Sequence, residues 1–176
     1  DLQVIKWAAE EFEILDGGLR LRFVLKKGLR WQDGVELTVD DVEFTYRVMI
    51  DPTTPTAYGS DFKAIKTFRK LDRYSFEVEY ETPFPRSLST WMGGIMPKHL
   101  LEGQNLRATP RARDPVSCGP YLLKEWEPGA SLTMTANPDY FEGKPYIDRI
   151  LYRIIPDLTT MFLELKAGRL DSMSLT

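Results

Sequence analysis

Residues 19–52 read LRLRFVLKKGLRWQDGVELTVDDVEFTYRVMIDP. Leu19, Leu21, Phe23 and Leu25 alternate with Arg20, Arg22 and Val24, the period of a strand with one buried face. Lys26-Lys27-Gly28 ends that strand, and Gln32-Asp33-Gly34 marks a turn, because glycine takes a positive φ without a steric penalty. Thr38 stands where a helix N-cap belongs. Asp40 and Asp41 occupy the first turn, where a carboxylate meets orphan N–H groups and the positive end of the helix dipole. Val42, Thr45, Tyr46 and Met49 then recur at helical spacing, and Pro52 forbids continuation, so a helix is predicted over 38–50. Strand, turn, capped helix and proline stop together place the chain in the α+β class.

Working outward, residues 1–10 carry Val4, Ile5 and Trp7, and Ala8-Ala9-Glu10 either begins a short helix or leads into a strand. Phe12–Leu15 and Leu19–Leu25 form a hairpin across Asp16-Gly17-Gly18. Residues 51–59 are a loop, and Asp61–Lys66 has room for one helical turn. Ile65–Leu71 pairs with a second strand in which Tyr74, Phe76, Val78 and Tyr80 alternate with Ser75, Glu77, Glu79 and Glu81, which puts the glutamates on a solvated face. Short helices are predicted over Ser87–Met92 and from Pro97 to about Glu102. The polar stretch 103–114 is the candidate subdomain boundary. Beyond it come paired strands at Tyr121–Trp126 and Leu132–Ala136, then one helical turn at Asn137–Tyr140. A strand follows at Asp148–Ile155, with Ile150, Tyr152 and Ile154 on one face. Asp157 caps a helix striped by Leu158, Met161, Phe162 and Leu165 and closed by Gly168, and Leu170–Met173 reads as a last strand.

Composition excludes several functions. A net charge of −3 lacks the concentrated basic surface that nucleic acid requires. No apolar run approaches the ~20 residues of a membrane-spanning helix. One cysteine, Cys118, and one histidine, His99, make no zinc cluster and no internal disulfide, so no cofactor and no metal site are predicted. No catalytic constellation emerges either. Asp40 and Asp41 are explained by capping and dipole, His99 has no nucleophile at a recognised spacing, and Cys118 has no partner base. Arg107, Arg111 and Arg113 read as a polar linker.

The block Leu21-Arg22-Phe23, Gly28, Trp31-Gln32-Asp33-Gly34, Leu37 to Val42, Tyr46 and Asp51-Pro52 resembles the family 5 extracellular solute-binding proteins, the peptide-, nickel- and oligosaccharide-binding receptors of ABC importers. The second half agrees in order and spacing: Gly119-Pro120-Tyr121, Trp126-Glu127-Pro128-Gly129, Asn137-Pro138-Asp139-Tyr140, Gly143-Lys144-Pro145, Ile155-Pro156-Asp157 and Ala167 to Asp171. Ser117-Cys118 departs from the family's usual Gly-Thr. The resemblance implies a partial first lobe of a two-lobed, class II periplasmic-binding-protein-like fold with mixed and antiparallel sheets. Residues 1–102 would be an accessory β-rich subdomain and residues 103–176 an incomplete segment of the lobe's main sheet. Family members are much longer, so the chain reads as a piece of such a receptor, working at the periplasmic or extracellular face of a bacterial membrane. Its partners would be a peptide or other small solute and the permease subunits, with membrane association only through the permease or a lipid anchor outside this chain. Exposed sheet edges would also permit a dimer.

For ligand contact the resemblance points to two places. Tyr58 matches a tyrosine that, seven residues after the aspartate of the Asp-Pro pair, reaches into the cleft. Thr90-Trp91-Met92-Gly93, before Pro97-Lys98, matches a segment lining it. Physically, an aromatic on a loop offers a rigid stacking surface, and methionine with glycine accommodates varied apolar side chains. The same residue types equally suit a tyrosine packing its own loop and a tryptophan in the core. Peptide capture is the leading reading. A nickel or oligosaccharide receptor, an interaction or regulatory module with a degenerate cleft, and, less favoured, a hydrolase remain alternatives.

Overall fold

In the computed structural model, which describes residues 5–54 and 56–174, the chain divides into two compact units. The first comprises Asp1–Ala112 with Val116–Cys118, and the second Arg113–Pro115 with Gly119–Thr176. Residues 103–112, which composition sets apart, therefore cluster with the first unit. Arg107 shows one tie, its guanidinium donating to the Thr53 carbonyl at 2.8 Å. Val4 lies outside the described residues.

The first unit is built on strands β1 (Ala9–Leu15), β2 (Arg20–Leu25), β3 (Ile65–Lys70) and β4 (Ser75–Tyr80), in the order β1-β2-β4-β3, each pair antiparallel. Residue 9 thus opens a strand and not a helix. The β1–β2 turn is a tight 3-10 turn at Asp16–Gly18, with Gly17 at φ 65° and Gly18 at φ 95°. Pairing of Phe23 with Phe76 sets the register, and the two rings stack at 4.9 Å. Helix α1 (Val39–Ile50) starts as its sequence directs. Thr38 and Asp41 form a reciprocal capping box, and Val39, Val42, Thr45 and Val48 are buried. The apolar face read from the sequence is thereby adjusted: Val48 is buried, whereas Tyr46 and Met49 are half-buried.

The solvated face predicted for β4 needs correction too. Glu77 is only 8% exposed. β4 is a central strand, and the side chains of its neighbours cover the carboxylate: Arg69 from β3 and Arg20 from β2 both donate to Glu77 Oε1. Burial alone would raise the Glu77 carboxyl, but the two guanidiniums outweigh it and hold the group below the ordinary carboxylate range. Glu79 is half-buried and pairs with Lys66 at 3.6 Å.

Short elements complete this unit: α2 (Gly59–Lys63), a 3-10 turn at Ser89–Met92 where a helix over Ser87–Met92 was expected, and α3 (Lys98–Leu101) capped by Pro97.

The second unit holds an antiparallel sheet of β5 (Tyr121–Glu127), β6 (Ser131–Ala136) and β7 (Arg149–Arg153), in that order, and helix α4 (Leu158–Lys166). Asp157 caps α4 by accepting from the Thr160 amide at 2.7 Å. The far end is a Schellman closure, in which Gly168 at φ 71° donates to the Leu165 carbonyl and Arg169 donates to that of Glu164. Two expectations fail here, and a third feature differs from α1. Asn137–Tyr140 is an Asx turn and not a helical turn, because Asn137 Oδ1 accepts the Asp139 amide at 3.0 Å. Leu170–Met173 forms no strand, having no ladder partner among the described residues. The apolar stripes of β7 and α4 are largely exposed, with Tyr152 and Phe162 each at 54%.

Candidate functional site

The two sequence-predicted patches come from adjoining elements of the first unit. Helix α2 presents Phe62 inward, and its ring meets Trp91 edge-on at 5.5 Å. Trp91 also touches Phe76 at 5.2 Å, Phe23 at 5.7 Å and Phe68 at 6.1 Å. The indole is thus the hub of an aromatic cluster joining both patches to β2, β3 and β4. An ion pair between Arg86 and Asp61, 2.6 Å, ties the same two segments at the surface.

From this base the candidate residues diverge. Tyr58, the N-cap residue of α2, is 74% exposed, and its amide donates to Thr56 Oγ1 at 3.2 Å. Met92, at the end of its 3-10 turn, is 66% exposed, and Gly93 beside it is exposed. Thr90 is buried and its hydroxyl donates to the Arg86 carbonyl at 2.9 Å. So Tyr58, Met92 and Gly93 lie at the surface, while Thr90 and Trp91 face inward and brace them.

Other residues hold this arrangement and carry little local signal. Gly59 packs so closely on α1 that a Cβ there would stand 2.7 Å from the Met49 carbonyl oxygen, which fixes where Tyr58 leaves the helix. Asp51 accepts the Thr53 amide and hydroxyl, both at 2.7 Å, and these bonds hold its carboxyl below the ordinary range. Nothing in the sequence near Gly59 reveals the carbonyl it meets; only a glycine in an otherwise helix-competent stretch hints at it.

Arg86 and Asp61 pair with each other, and Tyr58 and Met92 bring an aromatic ring and a thioether to the surface of the unit. His99 is engaged with Asp33 at 2.7 Å. Burial pushes the Cys118 thiol up to about 11, which disfavours the thiolate. Its neighbour Ser117 is bound by Gln32, whose amide donates to the Ser117 carbonyl at 2.9 Å. Among the described residues no group of three or more His, Cys, Asp or Glu gathers as a metal site, and no helix is long and apolar enough to cross a membrane.

Comparison with known proteins agrees across nearly the whole chain. The profile of the bacterial extracellular solute-binding proteins, family 5 middle region, matches residues 3–176. The oligopeptide-binding protein AppA of Bacillus subtilis is 34% identical over 169 residues, 93% of this chain and 31% of AppA. Its structure with a nonapeptide superposes with a TM-score of 0.85. NikZ of Campylobacter jejuni, solved with Ni(L-His), is 29% identical with a TM-score of 0.88, over 93% of this chain and 33% of NikZ. DppA of Helicobacter pylori, solved with the peptide STSA, is 26% identical with a TM-score of 0.81, over 93% of this chain and 36% of DppA. The chain therefore spans about a third of the length of the relatives it matches.

Proposed function

Because this chain belongs to the family 5 bacterial extracellular solute-binding proteins, we propose that it forms part of the first lobe of a receptor that captures oligopeptides or dipeptides by lobe closure. The receptor hands its ligand to the permease of an ABC importer, outside the cytoplasmic membrane, and performs no reaction on it. Residues up to about 102 serve as the accessory subdomain, joined by 103–112, and the second unit serves as an incomplete part of the main sheet. The observation that carries this reading is the pair of exposed, adaptable side chains, Tyr58 and Met92, mounted on the Phe62–Trp91 contact, in a chain 34% identical to an oligopeptide-binding protein.

One wall of a cleft does not supply the ~8 kcal/mol of a micromolar site. Calorimetric titration of the 176-residue chain with di- to pentapeptides is therefore expected to give millimolar or weaker binding. Tight binding would overturn the partial-cleft reading. Function itself is tested by replacing the matched third of Bacillus subtilis AppA with this chain. The folded chimera should bind the nonapeptide, and Tyr58→Ala or Met92→Ala should weaken it about tenfold, ~1.4 kcal/mol. A folded chimera that ignores the peptide, or variants without effect, would sink the assignment. A second reading, a nickel chelate, is favoured by the fold likeness to NikZ. Binding of Ni²⁺ with L-histidine by a chimera made on NikZ, with no peptide binding by the AppA chimera, would select it.

A further inference from the structure

Between the exposed Met92-Gly93 and helix α3 runs Gly94-Ile95-Met96-Pro97, which belongs to no helix or strand. Its placement comes from α1. The Met96 amide donates to Thr45 Oγ1 at 2.8 Å, and the Lys98 amide donates to Asp41 Oδ1 at 2.9 Å. Pro97, between them, has no N–H to satisfy. Both acceptors are buried, Thr45 at 5% and Asp41 at 4% exposure, so water does not compete for these amides.

Each acceptor is itself held from a second side. The Thr45 hydroxyl donates to the Asp41 carbonyl at 2.8 Å, which directs its lone pairs away from its own helix. Asp41 Oδ2 accepts the Thr38 amide at 2.9 Å in the capping box, leaving Oδ1 free for Lys98. Capping alone therefore does not account for Asp41. One carboxylate starts α1 and docks α3, and one hydroxyl a turn later holds the chain between α3 and the candidate ligand-facing residues. On the other side of Met92, Trp91 is fixed by the aromatic cluster. Met92 and Gly93 are thus held between two fixed points, and the space that a Cβ on Gly93 or Gly94 would occupy is open.

We propose that Thr45 and Asp41 are positioning residues of the solute site, setting where Met92 and Gly93 stand by clamping the Met96 and Lys98 amides. The ligand-facing part of this statement rests on the receptor reading above; the clamp itself does not. The test is amide hydrogen exchange and the Met92 methyl resonance in the 176-residue chain. Thr45→Val, which keeps the side-chain shape and removes the acceptor, should speed exchange at Met96 about tenfold or more and shift the Met92 methyl, while Val78 and Phe23 amides keep their rates. Thr45→Ser should restore both signals. Asp41→Asn retains one acceptor oxygen for two amides; if Thr45→Val does not fold, faster exchange at Lys98 together with a shifted Met92 methyl supports the clamp, and loss of protection at Thr38 alone overturns it. An unmoved Met92 methyl in Thr45→Val, or exchange at Met96 rising only in step with Val78, would overturn the proposal. Because no ligand enters this measurement, its failure is separate from that of the receptor reading, which the chimera decides.

Discussion

The two units differ in how they are held together. In the first, Leu21, Leu37, Val39 and Val78 have no measurable exposure, and Phe23, Phe68, Phe76 and Trp91 interlock at their centre. In the second, the buried residues among those described are polar, Thr133 and Asn137, while Leu158, Phe162 and Leu163 of α4 stand about half exposed. The second unit relies instead on caps and ion pairs: the Asp157 cap, the Gly168 closure, and Glu164, which receives Arg153 from β7 at 3.0 Å and Arg169 at 2.8 Å. Burial of large side chains contributes ~1.5–3 kcal/mol each, whereas exposed ion pairs contribute ~0–1. A repeating apolar pattern is therefore a promise of burial and not burial itself. The stripe of α1 is covered within its own unit and that of α4 is not.

The sharpest way to break this contrast is paired truncation. Phe76→Ala should destabilise the first unit by ~3–5 kcal/mol in urea unfolding, because the cavity opens against rings already in contact. Phe162→Ala should cost ~0.5 kcal/mol or less. Equal losses would show that α4 is packed as tightly as β4. A smaller effect is expected at Gly59. Gly59→Ala should lower stability by ~1–3 kcal/mol and displace Tyr58, since the Met49 carbonyl that its Cβ would strike is backbone and does not yield readily. Thermal melting and the Tyr58 ring resonances check this.

Gly168→Ala should cost ~1 kcal/mol, confined to α4, because only the left-handed φ of 71° is penalised and the space around it is open. Hydrogen exchange at the end of α4 reads it. The mildest prediction concerns acid. First Arg169, then Arg153, by hydrogen bonds and charge, hold Glu164 down at about 2. A carboxyl depressed on folding stabilises above its ordinary unfolded value, and that contribution is lost as pH falls from the ordinary range toward about 2. α4 protection should therefore decline across that window in the wild type and be flatter in Glu164→Gln. A titration of the Glu164 carboxyl near its ordinary value would remove the ion pairs from the account of this unit.

Much of the fold was legible because its signals are local. Thr38 with Asp41, the Asp16-Gly17-Gly18 turn, the alternation of β2 and β4, Asp157 and Gly168 each act within a few residues of themselves, and each forms the structure its chemistry prescribes. The exposed Tyr58 and Met92 were nameable through family resemblance, not through any pattern of their own. Glu77 shows the limit. Its alternation with Phe76 and Val78 correctly reports the opposite face, but the arginines that close over it come from strands far off in sequence.

By itself the sequence determined the main strands and the starts of α1 and α4, since capping, turn chemistry and periodicity are short-range properties. Only the tertiary structure decided that Trp91 roots the candidate site while Met92 is presented by it, and that Asp41 and Thr45 reach across to Lys98 and Met96. It likewise decided that the apolar face of α4 is left open. Those outcomes depend on which surfaces meet at long sequence separation. A hydrogen bond or a buried ring is specified by its partner as much as by itself.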